Sequence, residues 1–240
     1  MAEADRTTTM PPSARDDEPD TASRTRVWDL PLRIFHWALA AAVAVSLYTG
    51  LTGGFEEMDW HQTSGYFVLG LIAFRLLWGF VGTRHARFGS FLRGPGSVLA
   101  WVRGALRRSP PHAAGHNPLA GWTIMLLLLA LGVQAVTGLF SSDDLFVEGP
   151  LTHLVEGETV SRATSIHAWG QWTVGILVGL HLLALVVHRF VFRERIILAM
   201  ITGWRSDVPA AQGIRSHRLP VALVLAATVA AAVWWVVFRL

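Results

Sequence analysis

The chain has 240 residues, of which 52% are hydrophobic and 15% charged, with eleven tryptophans and a formal net charge of +3. That balance fits a membrane protein rather than a soluble domain, and the absence of cysteine excludes disulfides and thiolate metal sites. All twenty basic residues are arginine; they cluster beside apolar segments, which explains the positive charge without invoking nucleic acid.

In chain order, residues 1–26 are rich in Thr, Pro, Ser, Asp and Glu and read as a disordered tail. They lack the apolar run and cleavage site of a signal peptide, so the segment after them is expected to be an uncleaved anchor. Five stretches are long and apolar enough to span a bilayer: 34–54, 62–82, 119–140, 166–191 and 219–239. The 83–118 connection contains Gly94-Pro95-Gly96 and Pro110-Pro111, with room for a short interfacial helix around Val98–Leu106. Asn117 followed by Pro118 has the form of an N-cap with proline at the first helical position.

Arginine placement orients these spans. Arg6, Arg15, Arg24, Arg26 and Arg33 precede the first, six arginines lie in 83–118, and six more, from Arg189 to Arg218, lie at or beyond the end of the fourth. The 55–60 loop is acidic, and 141–165 holds five acids against Arg162 alone. The positive-inside rule therefore places the N-terminus in the cytoplasm and the two acidic loops outside.

Ionisable groups inside a bilayer are costly and mark functional sites. His167 and His181 lie fourteen residues apart on one span, just under four turns, so both project from nearly the same face about 21 Å apart. His36 opens the first span at the inner side and His61 opens the second at the outer side. Equal depth then pairs His61 with His167 and His36 with His181. Facing imidazoles are how a bundle holds haem iron, and without Cys-x-x-Cys-His any haem is b-type. His188 and His116 compete with His181 on the inner side, while His85, His112, His153 and His217 read as interfacial or capping residues. Arg75 lies fourteen residues after His61. It reaches the inner level, where it either snorkels or contacts a haem propionate or a quinone-site group. The tryptophans near span ends, including Trp37, Trp60, Trp78, Trp122, Trp169 and Trp172, read as anchors and packing residues.

The chain resembles the bacterial cytochrome b561 and nickel–iron hydrogenase b-type cytochrome family from Val27 to Gly203. The resemblance is carried by Val27-Trp28-Asp29, Pro31, Arg33-Ile34-Phe35-His36-Trp37, Trp60-His61 with Gly65, Arg75-Leu76-Leu77-Trp78-Gly79-Phe80-Val81-Gly82 and Ala86-Arg87-Phe88. It continues through Gly115-His116-Asn117-Pro118-Leu119, the His167/His181 spacing and Ala199-Met200-Ile201-Thr202-Gly203. It implies an all-α, four-helix haem-binding transmembrane bundle, with a fifth helix added here. It also implies two haem b groups held by His36, His61, His167 and His181.

The implied organisation is a cytoplasmic tail over 1–26, a dihaem cytochrome b domain over 27–203, and a linker with a fifth span over 204–240. The location it implies is the bacterial inner membrane. The implied function is electron transfer between a periplasmic redox partner, such as a c-type cytochrome or a hydrogenase subunit, and quinone, as a subunit of an oxidoreductase. The extra span and the longer 141–165 loop depart from the compact members and add docking surface. A stand-alone superoxide/quinone oxidoreductase is the alternative, although acidic outer loops would repel an anionic donor. A histidine-based metal or proton transporter is a third reading, but it lacks intramembrane carboxylates.

Overall fold

The first long helix, α1 (Leu30–Thr52), is started by Asp29, whose Oδ1 accepts the Leu32 amide at 2.7 Å. Pro31 sits in the first turn, where a missing N–H leaves nothing unpaired. A computed structural model describes residues 24–109, 113–143 and 145–240; most of the expected tail, His112 and Asp144 lie outside them.

Only Gly53 and Gly54 separate α1 from α2 (Phe55–Val81), and their φ angles of 66° and 106° are open to glycine but strained for other residues. The expected acidic loop is therefore helical: Glu56 and Glu57 occupy the first turn of α2, where the helix dipole favours negative charge. Hydropathy marks only the apolar part of a helix and misses such polar turns. The same holds for α6 (Gly157–Phe190), a 34-residue helix that begins nine residues before its apolar stretch.

Between these hairpins lie a single turn, α3 (Phe88–Phe91), and α4 (Pro95–Leu106), which matches the expected interfacial helix. Then comes α5 (Pro118–Leu139), whose Asn117 cap accepts the Ala120 amide at 2.8 Å as the sequence predicts. After α6 come α7 (Ile196–Thr202) and α8 (Leu219–Arg239). The helices α1, α2, α5, α6 and α8 are the five long and apolar enough to cross a membrane.

α2 is the central helix. It packs on α1, α5 and α8, whereas α6 leans mainly on α5. Val229 and Val233 of α8 pack over Gly70 of α2. The core between the helices is built from Val68, Ile72, Phe74, Trp78, Leu128 and Leu131. Large apolar side chains such as Trp169, Trp172, Leu182 and Leu223 point outward, as lipid-facing surfaces require.

The arginine-rich ends are tied by a strap. A two-residue strand β1 (Thr25–Arg26) pairs antiparallel with β2 (Trp204–Arg205). The Val27 and Trp28 amides both donate to Gly203 O, and Ile214 N donates to Arg26 O at 2.8 Å. Asp29 is fully buried beneath this strap and also accepts the Thr83 hydroxyl through Oδ2. One carboxylate thus caps α1 and holds the end of α2. Asp29→Ala should lower stability by about 1–3 kcal/mol, read as a drop in the thermal unfolding midpoint in detergent. Asp29→Asn, which keeps an acceptor oxygen, should lose less. Equal midpoints for wild type and Asp29→Ala would show that the cap contributes nothing.

Candidate functional site

The bundle brings four of the sequence-predicted histidines into two facing pairs. At the acidic end, the rings of His61 on α2 and His167 on α6 lie 5.9 Å apart and perpendicular, at 90°. Toward the arginine-rich end, His36 on α1 faces His181 on α6 at 6.4 Å and 55°. Two imidazole–metal bonds of about 2 Å each, with the ring radii added, bring the ring centres to roughly 6 Å. Both pairs therefore have the spacing of imidazoles flanking one metal.

The acidic-end pair is also oriented. His61 Nδ1–H donates to Ser46 O and His167 Nδ1–H to Gln134 O, each at 2.9 Å. A carbonyl can only accept, so Nδ1 carries the proton in both rings and Nε2 presents its lone pair. This is the arrangement of a ligating histidine steadied from behind. Around the rings lies a cavity of about 490 Å³ lined by Val43, Leu47, Val68, Leu131 and Val174, with polar groups including Gln62, Tyr66, Asp143 and Gln171. Its size suits a cofactor. Among the described residues no group of three or more His, Cys, Asp or Glu is placed to hold a metal ion. Paired imidazoles in a largely apolar cavity fit an iron whose remaining ligands come from a macrocycle, and the donor set fits haem.

Near the second pair, the Arg75 side chain is only 2% exposed, and its Nη1 has no hydrogen-bond partner. Its guanidinium lies over Phe88 at 4.9 Å and Phe91 at 5.9 Å. Arg75 therefore does not snorkel to the surface. Its orphan N–H suits an acceptor oxygen such as a haem carboxylate. His36 Nδ1 and Trp78 Nε1 are buried without partners in the same half of the bundle. Trp78 is wholly buried, stacked on Phe74 at 5.7 Å, while Trp37, Trp60, Trp122, Trp169 and Trp172 are exposed.

The remaining histidines have local tasks. His188 Nδ1–H donates to Glu194 at 2.8 Å, and its ring stacks on Trp101 of α4. His116 packs between Trp28 and Phe91, and burial beside Arg75 pushes its pKa down to about 3, so it is neutral. His217 Nδ1 accepts the Leu30 amide, and His85 and His153 donate to Gln212 O and Leu240 O. Sequence reasoning missed Ser46 and Gln134. Gln134 left a signal, being an amide in an otherwise apolar run; its side chain also donates to His167 O at 2.9 Å.

Comparison with known proteins places the chain in a family. The profile of the prokaryotic cytochrome b561 family matches residues 27–203. A probable Ni/Fe-hydrogenase B-type cytochrome subunit of Rhodobacter capsulatus is 26% identical over 229 residues, covering 81% of this chain and 87% of the relative. The protein of the same name from Azotobacter vinelandii is 28% identical over 75% of this chain and 87% of its own length. The probable Ni/Fe-hydrogenase 1 B-type cytochrome subunit of Escherichia coli K12 is 24% identical, with 75% and 90% covered. No solved structure matches significantly.

The stack of His188 on Trp101, anchored by Glu194, clamps α4 to the end of α6. Losing its hydrogen bond and ring contact should make α4 open roughly 5–30-fold more often. Trypsin should therefore cut His188→Ala faster after Arg107 and Arg108. An unchanged cleavage rate would remove His188 from the clamp.

Proposed function

The chain belongs to the prokaryotic cytochrome b561 family of membrane b-type cytochromes, and on that premise we propose that it is the electron-transfer subunit of a hydrogenase-type oxidoreductase. It would carry electrons between a redox protein docked at its acidic face and quinone in the bilayer. The observation that carries this reading is the pair of facing imidazole sets, joined through His167 and His181 of one helix.

In this reading His61 with His167, and His36 with His181, would each hold one haem b. When bound, haem supplies reversible one-electron chemistry at its iron. The chain's own part is ligation, spacing and insulation. Two imidazoles held to one iron would leave it no open coordination site and would favour outer-sphere transfer over oxygen chemistry. Ser46 O and Gln134 O steady the acidic-face rings, and Arg75, with an unpartnered Nη1, would hold a propionate at the other pair. Residues 27–203 form the haem-binding unit, and 204–240 form a linker and the added helix α8. The positive-inside rule sets the arginine-rich strap in the cytoplasm, with the chain in the bacterial inner membrane.

The relatives' names point to a hydrogenase as the partner. The acidic face has the features of a docking site, with Glu56, Glu57, Asp59 and Glu148 near in sequence to the exposed, touching rings of Phe55 and Phe146, and Glu156 and Glu158 at the start of α6. Asp143 shapes the loop: its carboxylate accepts the Leu145, Phe146 and Val147 amides, which hold its pKa below the usual range. The same acids would repel superoxide, which disfavours the stand-alone reading.

A pyridine haemochrome assay on the purified protein should give two extractable haems per chain. Replacing His61 or His167 should remove one, replacing His36 or His181 the other, and His188→Ala neither. A ratio near one, or haem loss from His188→Ala but not from His181→Ala, would overturn the ligand set.

Neutralising Glu56, Glu57, Asp59 and Glu148 together should slow haem reduction by a basic redox protein at low salt and leave haem content unchanged. The difference should shrink as the Debye length falls from about 30 Å at 0.01 M to about 10 Å at 0.1 M. Reduction by superoxide should instead become faster. Stopped-flow rates indifferent to both salt and these charges would defeat docking at this face.

A further inference from the structure

α1 and α5 offer the same device to the two acidic-face histidines. Ser46, Thr49 and Gly50 on α1 recur as Gln134, Thr137 and Gly138 on α5, at the same spacing. The first residue of each set accepts the ring Nδ1–H through its carbonyl at 2.9 Å. Each threonine Oγ1 lies 3.4 Å from that nitrogen while donating to a carbonyl four residues back at 2.8 Å. The glycines complete the match. A Cβ on Gly50 would stand 2.9 Å from His61 Cε1, and one on Gly138 would stand 3.0 Å from His167 Cε1.

These contacts determine a plane. The Cβ–Cγ bond anchors each ring, the Nδ1–H bond fixes a second point, and Cε1 against the bare glycine fixes a third. The outcome is the 90° angle between the two rings. Among the described residues no equivalent brace holds the other pair, where His36 Nδ1 has no acceptor and the angle is 55°.

We infer that Gly50 and Gly138 are positioning residues that hold two axial imidazoles perpendicular, and so set the electronic structure of the haem b they flank. The inference rests on the reading that His61 and His167 are its axial ligands. Perpendicular imidazoles donate to two different iron d orbitals, which leaves those orbitals nearly degenerate and gives a strongly anisotropic low-spin ferric signal. Rings nearer to parallel lift the degeneracy and give a more rhombic signal. Because 90° is the largest possible interplanar angle, a turn of either ring about its bond to the iron can only reduce it, which fixes the sign of the expected change.

The test is low-temperature electron paramagnetic resonance with redox titration of the full-length, oxidised protein in detergent. Wild type should show one large-g line, absent from His61→Ala, and a second, more rhombic signal. Gly50→Ala and Gly138→Ala should each move the large-g line to lower g and shift the midpoint potential of that haem, with the second signal unmoved. Gly132→Ala on α5 is the control, since its added Cβ would make only an ordinary 3.7 Å contact with Ile72; it should change neither signal.

If the methyl group keeps a ring from reaching the iron, the large-g line should vanish with one haem left and helix content intact, which also supports the role. A large-g line and potential unchanged in both alanine variants would overturn it, as would a wild type with no large-g line. Failure of the underlying reading looks different: the large-g line would persist in His61→Ala or His167→Ala, whatever the glycine variants do.

Discussion

An imidazole placed in hydrocarbon has two nitrogens to satisfy and no water to do it, and this constraint organises the acidic half of the bundle. Helical carbonyls normally bond within their own helix, so few are open to a neighbour. The structure solves this by setting Ser46 O and Gln134 O opposite the two rings, which demands close approach of α1 to α2 and of α5 to α6. The two-glycine turn between α1 and α2 and the small residues on the facing helices serve that approach. Once Nδ1 is engaged, the other nitrogen has one direction left, toward the cavity.

The arginine-rich half follows a different logic. There buried charges and aromatic rings dominate, beside the strap formed by β1, β2 and the segment after α7. Asp29 is shared between the start of α1 and Thr83, while Arg75 is walled in by Phe88 and Phe91 from the short connection. A buried guanidinium with an unused N–H is costly alone and stabilising opposite an anion. The bundle is thus braced by backbone at one end and charged at the other.

Much of this was legible in the residues. The five spans, the Asn117 cap, the α4 helix and the depth matching of four histidines follow from hydropathy, capping chemistry and 3.6-residue arithmetic. Helix starts were less legible, because Glu56–Glu57 and the polar turns of Gly157–Ser165 carry no apolar signal. The braces on His61 and His167 were invisible for a deeper reason: the acceptors are main-chain oxygens, which every residue has. Gly50 and Gly138 matter for lacking a side chain, and without the partner helix such a glycine looks like any other. The walls around Arg75 come from a segment whose path depends on tertiary packing.

The fourteen-residue interval between His167 and His181 also has an electrical meaning. It corresponds to about 21 Å along the helix, roughly two thirds of a hydrocarbon core. In the proposed reading, each electron passing between the two histidine pairs would cross that fraction of the membrane field. A full crossing is worth about 2.3 kcal/mol per 100 mV, so this partial one is worth about 1.5 kcal/mol per 100 mV. A resting voltage would then favour electron movement toward the acidic face and oppose the reverse. The length of one helix segment would make the protein's redox balance sensitive to the energised state of its membrane.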